Sequence, residues 1–272
     1  MCLLQGAFLF SLPCHIRDGD MDKTDLFTLL ICVLAAVLHG LSGFGFPMIS
    51  TAALSLVYPL STAVAMVIIP CILMNLSMLK TAQQNSFIKT LKDYLTRYWL
   101  LIGASLIGSL IGVNLLIKVP EGYLKIMLGI VMLLYVIDQF RHKPLQISAS
   151  LRNMLLFGLL AGIVGGATNA MAPFLMMYLL STRHQKNEIV IISNLSFLAS
   201  KLVQLLLLYP SLLNFDQAQI WLLAIVTIVS LIFVYLGAKI RNRLSQQKFK
   251  YIIFIILTVL GLNALWQGFL LL

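Results

Sequence analysis

The chain of 272 residues is 60% hydrophobic and 10% charged, with a mean hydropathy of +0.98 and a formal net charge of +10. Soluble domains average about 45–50% apolar and about 25% charged residues, so this chain has too few polar groups to cover a water-facing surface. A soluble enzyme, a disordered chain and a nucleic-acid-binding domain are thereby excluded, and an all-α integral membrane protein remains. The positive charge reads as the bias of Lys and Arg toward cytoplasmic loops. A membrane helix takes about 20 apolar residues, which leaves room for about eight spans and no sizeable soluble domain.

In chain order, Cys2–Leu12 is a short apolar run with no basic residue before it, a poor signal peptide. Met21 opens a clean hydrophobic segment, so Met21 is the expected start, residues 1–20 are not expected to be native, and 1–25 form an external tail. Leu26–Tyr58 is apolar but interrupted by Gly40, Gly43, Gly45 and Pro47. Leu60–Leu79, Tyr98–Ile117 and Tyr123–Ile137 follow as plain spans, closing a first transmembrane repeat over 26–140. A linker over 141–152 leads to a second repeat over 153–272. There Met154–Leu180 is interrupted by Gly162, Gly165, Gly166 and Pro173, and Ile189–Leu208, Ile220–Ala238 and Tyr251–Leu271 are plain. Short polar loops are expected between spans. The four cysteines, Cys2, Cys14, Cys32 and Cys71, form no metal-ligand spacing or disulfide framework, and no metal or other cofactor is expected.

The order of one broken and three plain segments occurs twice. Gly40-Leu41-Ser42-Gly43 matches Gly162-Ile163-Val164-Gly165 at an offset of 122, and Asn75-Leu76-Ser77-Met78-Leu79 matches Asn194-Leu195-Ser196-Phe197-Leu198 at an offset of 119. Charge then separates two topologies. If both broken runs cross once, giving eight full spans, the basic residues divide nine against nine. If both turn back as re-entrant hairpins, fourteen face one side and only Arg17, Lys23, Lys118 and Lys125 the other. The second division obeys the positive-inside rule and places both termini outside. Each repeat then has a hairpin and three spans, so the second is inverted relative to the first, a plan recurrent in secondary transporters.

A helix break at membrane depth leaves backbone groups that only protein or a water-lined cavity can satisfy, and helix N-termini there favour an anion. The candidate substrate-binding residues are therefore Gly40, Ser42, Gly43, Gly45 and Pro47 in the first break, and Gly162, Gly165, Gly166, Thr168, Asn169 and Pro173 in the second. Lys201, the one charged residue well inside a span, is a functional candidate to balance an anion; snorkelling toward the interface is its other reading. Asn75 and Asn194, with Ser77 and Ser196, line a cavity or bond between helices. His39 offers a proton relay or a packed structural side chain. The glycines have a second reading too, as small residues that let helices approach.

Gly40-Leu41-Ser42-Gly43-Phe44-Gly45-Phe46-Pro47, echoed by Gly162-Ile163-Val164-Gly165-Gly166, resembles the glycine motif of the TauE/SafE-type sulfite exporters, a family of anion permeases. The resemblance covers roughly residues 26–271 and implies a carrier in the bacterial inner membrane for sulfite, organosulfonates or related sulfur-containing or carboxylate anions. Its partners would be membrane lipid, the anion and a coupling ion, proton or sodium. An integral-membrane enzyme, a non-transporting membrane subunit and a channel are the competing expectations.

Overall fold

The structure, a computed structural model, describes residues 23–82, 87–140, 147–182, 184–240 and 246–272. The expected tail up to Asp22, including Met21 and Arg17, lies outside the described residues, as do Arg141, Lys143, Arg183, Arg241 and Arg243. All regular structure among the described residues is helical. The first half contains α1 (Lys23–Ser42), α2 (Phe46–Leu54), α3 (Leu60–Met66), α4 (Ile68–Ala82), α5 (Phe87–Arg97), α6 (Trp99–Lys118) and α7 (Glu121–Gln139). The second contains α8 (Leu151–Thr168), α9 (Ala172–Ser181), α10 (Lys186–Leu213), α11 (Gln217–Ile240) and α12 (Gln246–Leu270).

Among the described residues, five helical stretches are long and apolar enough to cross a membrane: Leu60–Lys80, Trp99–Lys118, Leu151–Thr168, Asn187–Leu213 and Gln217–Ile240. Leu26–Ser42, Ala172–Ser181 and Phe254–Leu270 are shorter apolar helices. Both interrupted runs divide where their glycines stand, each into a longer arm (α1, α8) and a short one (α2, α9). At ~1.5 Å per residue the short arms reach about half a bilayer. Pro47 and Pro173 sit in the first turns of α2 and α9, where the missing N–H is no loss and the fixed φ suits helix entry.

The span expected over Leu60–Leu79 is present as one apolar stretch, Leu60–Lys80, long enough to cross a membrane, and it is interrupted at Val67, where α3 gives way to α4. Pro70 has no N–H to give the Met66 carbonyl four residues earlier, so a turn intervenes. The segment before Tyr98 is not a plain polar loop but the helix α5, whose apolar and charged residues segregate to different faces.

The helices pair across the two halves. α6 packs on α8, and α11 packs on α1; the closing helices α7 and α12 pack together, as do α4 and α10. The seams are made of small residues, so backbones approach closely where lipid supplies no hydrophobic drive for association. A Cβ at Gly162 would stand 2.2 Å from the Ser105 carbonyl oxygen, and one at Gly112 2.1 Å from that of Ile163. The α1–α11 seam is built alike: a Cβ at Gly40 would stand 2.2 Å from the Val234 oxygen, and one at Gly237 2.4 Å from the Val37 oxygen.

The turns that follow the short arms are pinned from outside themselves. Glu121, at the start of α7, accepts the Leu60 N–H at 2.9 Å and pairs with Lys125 at 3.0 Å. Lys125, expected at the membrane surface, is buried one turn into α7 and donates to Gln267 of α12 at 2.7 Å and to the Ser55 carbonyl at 3.4 Å. At the corresponding turn of the second half, His184 contacts Thr182 Oγ1 at 2.7 Å and the Tyr98 hydroxyl at 2.9 Å.

Two alanine substitutions test the seam. Gly162→Ala drives a methyl into the α6 backbone and is expected to cost about 1–3 kcal/mol. Gly103→Ala, on α6 with no neighbouring atom within 4 Å of the new Cβ, should leave stability unchanged or slightly raised. Thermal unfolding of both variants in detergent distinguishes them; equal melting temperatures would contradict the packing described.

Candidate functional site

Both breaks are read by one helix. In the first, Gly43 and Gly45 adopt φ values of +87° and +110°, a region that side-chain-bearing residues rarely enter. α1 ends there, and Asn194 of α10 donates from Nδ2 to the Gly43 carbonyl at 2.9 Å, while also reaching its own Val190 carbonyl at 2.7 Å. In the second break Asn169 caps α8 at φ +63°, a left-handed conformation that Asn tolerates better than most residues. Gln204 of α10 donates from Nε2 toward the Gly165 and Gly166 carbonyls at 3.1 and 3.0 Å and to Asn169 Oδ1 at 2.8 Å. Asn194 and Gln204 are ten residues apart in the sequence, or about 15 Å along the helix. α10 therefore spans the distance between the two breaks.

Asn169 is the hub. Its Nδ2 donates to Thr51 Oγ1 of α2 at 2.7 Å and reaches the Val64 carbonyl, where α3 is about to end, at 3.4 Å. Its Oδ1 accepts from Gln204 and from the Lys201 ammonium. One amide thus ties the second break to the short arm of the first, to the α3–α4 interruption and to α10. Lys201 does not snorkel: it is 3% exposed, halfway along α10, and its second partner is Gln204 Oε1 at 2.6 Å. Both partners are neutral amide oxygens, so none of its described hydrogen bonds brings a balancing negative charge.

The remaining candidates separate by what their side chains touch. Ser42 lies 2.8 Å from the Leu38 carbonyl and 2.9 Å from that of Phe44, closing its own turn. Thr168 donates to Val164 at 2.8 Å. Both hydroxyls are engaged within their own breaks. Gly40, Gly162 and Gly166 face the partner helices α11 and α6, whereas Gly43 packs against Val190 of α10 and Gly165 against Met171. His39 is buried at the end of α1. Asn75 is fully buried in α4, and among the described residues neither of its amide atoms has a hydrogen-bond partner; Asn194 Oδ1 and the hydroxyls of Ser193 and Ser196 share that condition. Buried polar atoms are rarely left so, and these belong to the two helices, α4 and α10, that pack together beside the breaks.

Sequence reasoning missed Gln204 and Thr51. Gln204 had a signal, since it follows Lys201 by three residues and so shares its helix face. Thr51 had none, because its partner Asn169 is 118 residues away.

Asn169 carries a backbone prediction of its own. Asn169→Gly keeps the left-handed cap and loses the amide; Asn169→Ala loses both. The alanine variant is expected to unfold more readily, by roughly 1–2 kcal/mol, in a thermal melt in detergent. Equal stability would mean that the positive φ is not required there.

Residues 28–264 match the protein family described as Sulfite exporter TauE/SafE. No curated protein and no solved structure matched the chain.

Proposed function

The chain belongs to the sulfite exporter TauE/SafE family, and on that premise we propose that it is a secondary transporter for a small oxyanion in the bacterial inner membrane. Sulfite, an organosulfonate or a small carboxylate is the substrate of this reading. The observation that carries it is Lys201: a buried ammonium, held by neutral groups, at the junction of two helix breaks. A charge at that depth is costly unless it is used, and an anion is the ligand that completes it.

The hydrogen bonds around Lys201 favour an oxyanion over a halide. Two amide oxygens, from Asn169 and Gln204, now accept from the ammonium. A sulfite, sulfonate or carboxylate group has at least two acceptor oxygens with which to replace them. The freed amides can then turn their N–H groups toward the ligand. Asn75 and Asn194 supply further amides, and Gly43 and Gly165 let the breaks stay narrow. In this reading the broken runs are re-entrant hairpins entering from opposite faces, and the halves are inverted.

Two experiments test it. In proteoliposomes, uptake should appear for one or more of sulfite, thiosulfate, sulfonates and small carboxylates, and not for chloride. Lys201→Met should lower that uptake at least 100-fold while leaving membrane insertion intact; wild-type uptake by this variant would remove Lys201 from the site. For topology, one cysteine at a time is added to a background lacking Cys2 and Cys14, in which the remaining Cys32 and Cys71 are buried. Ala149→Cys should react with an impermeant maleimide only from the cytoplasmic side, and Leu212→Cys only from outside. Labelling of Ala149→Cys from outside would restore eight full spans.

A further inference from the structure

α5 is unlike the other helices among the described residues. Four of its eleven residues, Lys89, Lys92, Asp93 and Arg97, are charged, yet Ile88 is 75% exposed and Leu95 also faces outward. Trp99, the first residue of α6, is 66% exposed beside them. These residues form an open groove of about 490 Å³ lined by Ile88, Leu91, Lys92, Leu95, Thr96 and Trp99. Its walls are apolar, and its one charged lining group is Lys92. Lys89, exposed and one helical turn before Lys92, shares that edge. Asp93 is not part of the lining. Arg97 is engaged elsewhere, its guanidinium 5.5 Å from the centre of the Tyr98 ring.

We infer that this groove binds an anionic phospholipid, with an acyl chain along Ile88, Leu95 and Trp99 and the headgroup phosphate between Lys89 and Lys92. α5 joins two membrane-spanning stretches, so it sits at the level where chain and headgroup meet. Amphipathic helices with Lys on the polar edge and Trp or Leu on the other lie in that plane, where Trp is also enriched. Thr96 is turned inward to its own helix, bonded to the Lys92 carbonyl at 2.9 Å, so the lysines alone supply headgroup recognition. A second groove at the far end of α6, lined by Leu110, Ile111, Asn114, Leu115 and Lys118, measures about 320 Å³. It has one lysine and an Asn114 amide already bonded to Leu110 at 2.8 Å, and it serves as the internal comparison.

The test is independent of transport. A protein carrying Trp221→Phe and Trp266→Phe keeps Trp99 as its one tryptophan. It is reconstituted in phosphatidylcholine vesicles containing bromine-labelled phosphatidylglycerol or bromine-labelled phosphatidylcholine at equal mole fraction. Trp99 fluorescence should be quenched more by the anionic lipid, with an apparent preference of about fivefold per lysine. Lys89→Gln combined with Lys92→Gln should bring the two lipids level, and high salt should do the same. Lys118→Gln should leave the preference intact. Equal quenching by both lipids in the unaltered lysine background would overturn the assignment, as would a preference that survives loss of both lysines. All the substituted side chains are exposed, so these variants retain the fold, and a monodisperse elution profile verifies it.

Discussion

A carbonyl freed where a helix stops inside hydrocarbon has no water to turn to, and in this protein the side chains of α10 take water's place. Asn194 serves the Gly43 carbonyl, and Gln204 serves that of Gly166 and adds a second donor to that of Gly165, which also accepts the Asn169 N–H at 2.9 Å. Asn169 adds a long contact of 3.4 Å to the Val64 carbonyl at the α3–α4 interruption, where the Val67 N–H also donates at 3.3 Å. The breaks are supported by amide side chains, with both donor and acceptor ends, that lie within reach of them. Everything else about the core follows from that requirement. α10 must be long and central, it must carry polar residues at several turns, and the helices beside it must approach closely enough for short side chains to bridge.

The glycines meet that last demand. Along α6–α8 and α1–α11 the contacts are backbone to backbone, and a single methyl has no room at Gly162 or Gly40. Glycine therefore does two jobs within one short motif. Gly40 permits a helix to lie against α11, while Gly43 and Gly45 permit the chain to leave helical geometry altogether. The second half divides the work differently, because Asn169 takes the left-handed position and its side chain becomes the hub. A residue that both bends the chain and bonds across the interior joins the shape of the break to the chemistry around it.

Much of this was legible in the residues. The five long apolar helices, both interruptions and the burial of Lys201 midway along α10 follow from runs of apolar residues and from where glycine, proline and charge interrupt them, whereas the span expected over Tyr123–Ile137 is not among those five. What escaped was of three kinds. Local competition is one: Ser42 and Thr168 looked like free donors, yet their hydroxyls bond to carbonyls two to four residues away, a habit of short polar side chains. Distance along the chain is the second: the Asn169–Thr51 bond joins residues 118 apart, and no local pattern announces it. α5 was missed for a third reason, since its charges resemble a loop until their helical spacing is drawn out.

The neutrality of Lys201's partners has an electrical consequence. With the lysine charged, the core carries one positive charge that no described hydrogen bond offsets. In the role proposed for Lys201, a monoanion seated there would bring the loaded site to zero, and a dianion would bring it to minus one. Moving one charge across a potential of 100 mV is worth about 2.3 kcal/mol. The cell's voltage would thus act on the empty site when the cargo is singly charged, and on both forms, in opposite directions, when it is doubly charged. A single ammonium would in this way make the ionisation state of the cargo decide which half of the cycle the membrane potential drives.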